Sequence, residues 1–116
     1  AHATSTGRVL LAAMAPTVFT QWLKGRHLAR LTPQTVTQAR GLRQLVARAR
    51  KDDYCFASEE HELGVQALAV PLRDMQGHTV AALNVVLSGT RYQEEALQRD
   101  MLPLLFEAAR EVRSLL

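Results

Sequence analysis

The chain lacks the features of a secreted or membrane protein. Cys55 is its only cysteine, so no internal disulfide can form. No apolar run approaches the roughly 20 residues that a membrane-spanning helix needs, and the first residues lack the basic cap and apolar block of a secretory signal. With 116 residues, 47% of them hydrophobic and 22% charged, the composition is that of one globular domain. We therefore expect a cytoplasmic protein that does not contact a membrane.

Acidic residues are absent from positions 1–51, which carry nine lysines and arginines. Residues 52–116 carry eleven acidic and five basic residues. Such an asymmetry is typical either of an anion-binding half or of a basic helix face that packs near acidic parts of the same fold. Because the basic residues are not interleaved with stacking aromatics, as in nucleic-acid platforms, we favour the second interpretation.

Signatures of catalysis and of metal binding are also missing. The sequence has no GxSxG, P-loop or GxGxxG, and its four histidines form no i,i+4 pair. Cys55 lies between two aromatic residues, which is more typical of a buried small hydrophobe than of a nucleophile. A run of carboxylates on a turn, such as the acidic turn 59–62, is usually just solvated. We predict neither an enzyme nor a cofactor; catalysis by Cys55 or by this turn is the least favoured hypothesis.

Apolar periodicity predicts helices, then strands, then a final helix. The predicted helices cover 8–14, 18–24, 38–51 and 92–116, the last of them kinked or restarted by Pro103. Residues 4–7, Thr17 and Thr37 are the candidate N-caps of the first three. The predicted strands cover 54–57, 65–73 and 79–87. The third strand is apolar on both faces and is therefore predicted to be central. This pattern is typical of an α/β domain, and because three strands are few, we expect further strands upstream.

The hairpin signal at 74–78 predicts which side chains share a face of the sheet. If the Gln-Gly pair forms a two-residue turn, the numbers of paired residues sum to 153, so Ala69 lies opposite Asn84 and Ala67 opposite Val86. Small side chains around one amide leave a hollow for a ligand. The same face could instead accept a tightly packed helix, and a shift of one residue would remove the hollow.

The segment Thr4-Ser5-Thr6-Gly7 precedes the first helix. Helix N-termini present free N–H groups and the positive end of the helix dipole, which together attract anions. Gly7 would allow a ligand to approach closely. The alternative interpretation is an ordinary helix cap.

Five segments, in this order, resemble the effector-binding domains of IclR-type transcription regulators: 2–12, 31–37, 60–65, 69–74 and 81–85. The segment 31–37 is similar to the connector of the aromatic-catabolism branch, the regulators of protocatechuate, 4-hydroxybenzoate and β-ketoadipate metabolism. The resemblance implies that residues 1–116 are part of a single GAF-like α/β domain, with a mostly antiparallel sheet flanked by helices. It places the first strands and a winged helix-turn-helix domain upstream, so that DNA is contacted only there. It also implies a homodimer or homotetramer.

The resemblance further implies a site for a small organic acid. Its main-chain anion contacts fall on Ser5 and Thr6. Its sheet-side contacts fall on Ala57, Ala67, Asn84 and Val86. Gly7 and Ala69 complete the predicted ligand-binding set. Family members that bind very small keto acids have polar side chains where this chain has Ala57, Ala67 and Val86, so we expect a larger, partly apolar acid such as an aromatic carboxylate.

Besides catalysis, a second alternative function is assembly without a ligand. The apolar stripe of the C-terminal helix, with an exposed Phe106, would suit a ligand-free dimerisation or assembly domain of a regulator.

Overall fold

The order of the elements confirms the α/β pattern. The computed structural model describes residues 1–89 and 91–116. Its helices are α1 (Ser5–Ala13), α2 (Pro16–Leu23), α3 (Ala39–Asp52), α4 (Glu94–Asp100) and α5 (Leu102–Glu111), followed by a 3₁₀ turn at Arg113–Leu115. Its strands are β1 (Cys55–Ser58), β2 (Val65–Arg73) and β3 (Thr79–Ser88).

Of the three predicted helix caps, one is confirmed and two were wrong. Thr4 caps α1, because its Oγ1 accepts a hydrogen bond of 3.0 Å from the Gly7 N–H. Thr17 lies inside α2, which begins with Pro16; proline suits this position because the N–H it lacks would have no helical partner. Thr37 precedes the actual N-cap of α3, Gln38, which makes no side-chain capping bond.

The three strands form an antiparallel sheet in the order β1-β2-β3. The predicted register is confirmed: Ala69 pairs with Asn84 and Ala67 pairs with Val86. In the sheet formed by residues 1–89 and 91–116, β2 is the central strand and β3 lies at an edge. The predicted central place of the third strand therefore depends on the further strands that are expected upstream. Leu83, Val85 and Leu87 of β3 pack towards the C-terminal helices, and Ala82 packs beneath α1.

The hairpin turn is longer than predicted. The Gly77 N–H bonds to the Asp74 carbonyl at 3.0 Å, and the Asp74 N–H bonds to the His78 carbonyl at 2.9 Å. Position 75 is therefore not paired with 78, and the predicted two-residue turn was wrong. A register shift between Leu72 and Arg73 compensates, so the pairs further from the turn still sum to 153.

One face of the sheet is covered by the C-terminal helices. Leu68 and Val70 of β2 are fully buried against side chains of α4 and α5. Pro103 lies at the start of α5, so the helical region restarts after Asp100 as predicted. Phe106 is half-buried and packs into this core, which contradicts its predicted exposure. Much of the C-terminal apolar stripe is therefore used inside the chain.

The opposite face of the sheet is covered by α1, and α3 packs behind that helix. Val9 of α1 contacts a cluster formed by Ala49, Cys55 and Ala69. The small side chains on this part of the sheet let the helix approach closely. Leu11 belongs to a separate core that α1 shares with α2, α3 and the segment before α3.

Candidate ligand-binding site

A hollow of about 260 Å³ lies between the start of α1, the sheet face beneath it and the turn after β1. An apolar cavity of about 150 Å³ is large enough for benzene, so this hollow has room for a substituted ring. Its lining is Ala3, Thr4, Ser5, Thr6, Ala57, Glu60, His61, Glu62, Val65, Ala67, Asn84 and Val86.

The small residues on the sheet face predicted either a hollow or a closely packed helix, and the structure contains both. Around Ala69 and Ala82, the face accepts Val9 and Ala12 of α1. Towards Ala67, the helix ends, and the small side chains leave the hollow open beneath its first turn. The closely packed region and the hollow therefore lie next to each other on the same face of the sheet.

Six of the eight predicted residues line the hollow, and two do not. Ser5, Thr6, Ala57, Ala67, Asn84 and Val86 are part of its wall. Ala69 is fully buried in the packing beneath α1. The space beside Gly7 is filled by the chain itself: a Cβ there would lie 2.3 Å from the Ala1 carbonyl oxygen and 2.6 Å from Thr4 Oγ1. Gly7 therefore leaves room for the backbone of Ala1 and the side chain of Thr4.

The start of α1 brings polar groups to the hollow. The first N–H groups of a helix have no partner within it. Ser5 is only 2% exposed, and its Oγ has no hydrogen-bond partner among the residues that the structure describes. A buried hydroxyl without a partner is unfavourable, so the wall offers a place for a ligand oxygen.

The hollow is open on the side of β3. Asn84 is exposed, and Val86 is 61% exposed although it lines the hollow. Ala57 on β1, in contrast, is buried. A ligand would thus have its most enclosed surroundings near Ser5 and Ala57 and its most accessible ones near Asn84.

A buried ion pair, which the sequence analysis missed, supports the wall. The fully buried Arg8 guanidinium donates to both carboxylate oxygens of Glu60, with an Nη1–Oε2 distance of 2.7 Å, and its Nε donates to the His2 carbonyl at 2.9 Å. Burial alone would lower the pKa of Arg8, but the hydrogen bond and charge of Glu60 raise it above its usual value. The available signal was an arginine at the start of an apolar helical run, which requires an acidic partner when buried.

The acidic turn was predicted to be merely solvated, but it is held by hydrogen bonds. Thr32 and Thr35, both buried, donate through their hydroxyls to the carbonyls of Glu59 and Glu60. Glu59 Oε1 also accepts a bond of 3.1 Å from the Gly64 N–H. The connector before α3 therefore fixes the position of the turn that forms one wall of the hollow.

The described residues offer little support for catalysis. Cys55 is 6% exposed, and burial raises the pKa of its thiol, an effect that the nearby Arg8 only partly opposes. The thiolate is the nucleophile, so Cys55 is poorly suited to that role. Residues 1–89 and 91–116 contain no group of three histidine, cysteine or acidic side chains placed to hold a metal ion. No helix in these ranges is long and apolar enough to cross a membrane.

A partly apolar hollow beside a helix N-terminus, with one amide in its wall, defines the class of an α/β small-molecule-binding domain. Comparison with known proteins is more specific. The chain belongs to the family described as the C-terminal domain of the bacterial transcriptional regulator IclR, whose model matches residues 1–114.

Two similar relatives are regulators from Acinetobacter baylyi. The p-hydroxybenzoate hydroxylase transcriptional activator is 44% identical over 115 residues, which is 99% of this chain and 42% of the relative. The Pca operon regulatory protein is 45% identical over 116 residues, which is 100% of this chain and 42% of the relative. The chain thus spans less than half the length of these two relatives, both of which are named as regulators.

A similar solved structure carries a ligand. It is a double mutant of the PobR transcription factor inducer-binding domain from Acinetobacter, in complex with 3-hydroxybenzoic acid. The two folds agree with a TM-score of 0.92 at 44% sequence identity, over 99% of this chain and 66% of the other. The expected family and fold, including the aromatic-catabolism relatives, are therefore confirmed.

Proposed function

We propose that this chain is the effector-sensing part of a transcription regulator, and that its effector is a small aromatic carboxylate. The observation that carries the proposal is the hollow that Ser5, Thr6 and Asn84 share. Its volume of about 260 Å³ suits one substituted ring. The 3-hydroxybenzoic acid bound to the similar inducer-binding domain supports this choice of ligand class.

The proposed binding mode follows from the chemistry of the wall. The carboxylate of the effector lies at the start of α1, where the helix dipole and the free N–H groups of Ser5 and Thr6 favour an anion. The ring packs against Ala67 and Val86, and a ring hydroxyl bonds to the Asn84 amide. Ala69 and Gly7 support this arrangement from outside the wall.

The proposal extends to the protein as a whole. We expect a single effector domain that works in the cytoplasm within a homodimer or homotetramer, and DNA binding by a separate upstream domain. The effector would shift an equilibrium between subunit arrangements, which requires that it bind one arrangement more tightly than the other. Catalysis has no part in this mechanism.

Calorimetric titration of the protein with 4-hydroxybenzoate, protocatechuate and β-ketoadipate tests the proposal. We expect saturable binding of at least one aromatic acid, weakened roughly three- to tenfold in Asn84→Leu by the loss of one hydrogen bond. The matched control is Gln76→Leu, at an exposed position of the hairpin turn, which should bind as the wild type does.

The same variants separate sensing from assembly. Under the proposal, Asn84→Leu keeps the oligomeric state of the wild type, measured by light scattering. If none of the three acids binds to the wild-type protein, an aromatic-acid sensor is contradicted. The assembly alternative is disfavoured by the burial of Leu97 and Leu105, which belong to the stripe that would have formed its interface.

A further inference from the structure

Glu60 brings a carboxylate to the wall of the hollow from a rigid position. Its side chain is 12% exposed and is held by Arg8, whose side chain is completely buried. The backbone around it is fixed from the other side, because the Thr35 hydroxyl donates to the Glu60 carbonyl. Glu60 therefore presents a fixed group to any ligand that fills the hollow.

Counting the bonds of this carboxylate identifies an acceptor site that remains free. Two carboxylate oxygens offer about four acceptor sites. Oε1 accepts from Arg8 Nη2 and, at 3.3 Å, from the Val36 N–H. Oε2 accepts from Arg8 Nη1 at 2.7 Å, and the other described residues donate nothing further to it. One acceptor site on Oε2 is thus available to a ligand.

The chemistry of this group differs from that of Asn84 in a way that matters for selection. An amide can donate or accept, so Asn84 would tolerate a hydroxyl or a keto oxygen. An ionised carboxylate only accepts, so Glu60 requires an O–H or N–H on the ligand. The Arg8 charge is already matched by Glu60 and is completely buried, which leaves it unable to balance a second negative charge on the ligand. Glu62, also in the wall, adds to the repulsion.

We propose that Glu60 determines effector specificity: its free acceptor site takes a hydrogen bond from a ring hydroxyl of the effector, and its charge excludes a second carboxylate. The preferred ligands are then hydroxylated aromatic monocarboxylates rather than dicarboxylates. This inference rests on the proposed function, since it concerns the same hollow, but it assigns a role to a residue outside the expected contact set.

The first test needs only the wild-type, full-length protein. Calorimetry compares 3- and 4-hydroxybenzoate with 3- and 4-fluorobenzoate, in which fluorine has nearly the size of the hydroxyl but cannot donate a hydrogen bond. We expect the better hydroxybenzoate to bind roughly ten- to a hundredfold more tightly than its fluoro analogue, as befits a hydrogen bond to a charged group. Benzene-1,3-dicarboxylate and benzene-1,4-dicarboxylate should bind more weakly than the hydroxybenzoates and the fluorobenzoates.

The second test changes the acceptor. In Glu60→Gln, the preference for hydroxyl over fluorine should fall by at least about threefold, to the part that the Asn84 amide supplies, and dicarboxylate binding should strengthen relative to the wild type. Glu59→Gln is the matched control, because Glu59 lies in the same turn but outside the lining, and a glutamine oxygen still accepts from the Gly64 N–H. This control should keep the wild-type preference.

The outcomes separate the two hypotheses. If no aromatic acid binds to the wild type, the proposed function fails and this inference fails with it. If hydroxy- and fluorobenzoates bind to the wild type equally well, sensing stands and the role of Glu60 is overturned. A folded Glu60→Gln that keeps the full hydroxyl preference also overturns it. Should Glu60→Gln fail to fold, the same comparison of ligands on Asn84→Leu decides the question: the hydroxyl preference should persist there, and its loss would assign the hydrogen bond to Asn84 and overturn the role of Glu60.

Discussion

Individual polar side chains add links between the elements of this fold. Gln66 is 2% exposed, and its amide donates to Ser58 Oγ and to the Tyr92 carbonyl while accepting from the Tyr92 N–H. This one side chain therefore ties β2 both to β1 and to the segment that leads into α4. A buried amide with all these bonds made is stabilising, whereas one left without partners would be costly.

Tyr54 makes a similar link that depends on pH. Its hydroxyl donates to Glu94 Oε2 at 2.7 Å. Burial, and to a smaller extent the hydrogen bond and charge of Glu94, raise the pKa of Tyr54 to about 12. An unfolded tyrosine has a pKa of about 10, so the folded state holds the proton more tightly. The resulting stabilisation is complete below pH ~10 and is lost as the pH rises towards 12.

The corresponding measurement is the free energy of unfolding between pH 9 and pH 12, from urea denaturation. We expect the wild-type value to fall over the upper part of this range, and the Tyr54→Phe variant to be less stable at pH 9 but to show a shallower fall. Equal slopes in the two proteins would contradict the assigned role of Tyr54.

At this scale, the sequence predicts local features better than long-range partners. The cap at Thr4 was predictable because cap and N–H group lie three residues apart. The partnership of Arg8 with Glu60 joins residues 52 positions apart, and no local pattern identifies it. The surroundings of Gly7 and Ala69 were not predictable for the same reason, since what fills the space beside them comes from other parts of the fold.

At the scale of elements, α1 has two tasks along its length. Its central turns pack on the sheet, while its first turn forms part of the wall of the hollow. The strands could be placed with success because hairpin register depends on near neighbours. The length of the turn was wrong, yet the shift between Leu72 and Arg73 restored the predicted pairing.

The cap of α1 provides a prediction with an internal control. Thr4→Ala removes the side-chain acceptor of the Gly7 N–H and should lower the free energy of unfolding by about 1 kcal/mol. Thr17→Ala should change it by less than about 0.5 kcal/mol, because Thr17 caps no helix in the structure. Urea denaturation of both variants checks this. A larger loss in Thr17→Ala than in Thr4→Ala would show that the caps are misassigned.

For the molecule as a whole, contacts between the basic first part and the acidic second part connect the layers. Arg8 bonds to Glu60, and Arg48 bonds to Glu94 at 2.8 Å. Arg50 instead donates to the carbonyls of Ala12 and Met14, at the end of α1. These contacts support the interpretation of the basic residues as a helix face packed near acidic parts of the same fold.

The two ion pairs should differ greatly in importance. Arg8→Met leaves Glu60 without its buried partner and should lower the free energy of unfolding by about 3–5 kcal/mol. Arg48 is 59% exposed in its side chain, so Arg48→Met should cost no more than about 1 kcal/mol. Thermal and urea denaturation measure both. Similar losses in the two variants would contradict the structural importance of the Arg8 pair.

The arrangement of the whole sheet could be predicted only in part. The α/β class followed from the order of periodic segments, and the helices flanking the sheet were implied by the family resemblance. The position of β3 at an edge of the described sheet did not, because the apolar pattern of a strand reports which of its faces are covered and not which strands lie beside it. Likewise, the 260 Å³ hollow depends on where α1 ends above the sheet, which no local pattern reports.

The separation of charge along the chain has a consequence for how fast the chain folds. Its Arg8–Glu60 and Arg48–Glu94 contacts close loops of 52 and 46 residues, and distant pairings of this kind normally slow folding. Here the two ends of each loop belong to oppositely charged stretches, which attract each other before any specific contact exists. This long-range attraction shortens the time in which the distant partners find each other during folding. Salt screens the attraction and therefore slows this step.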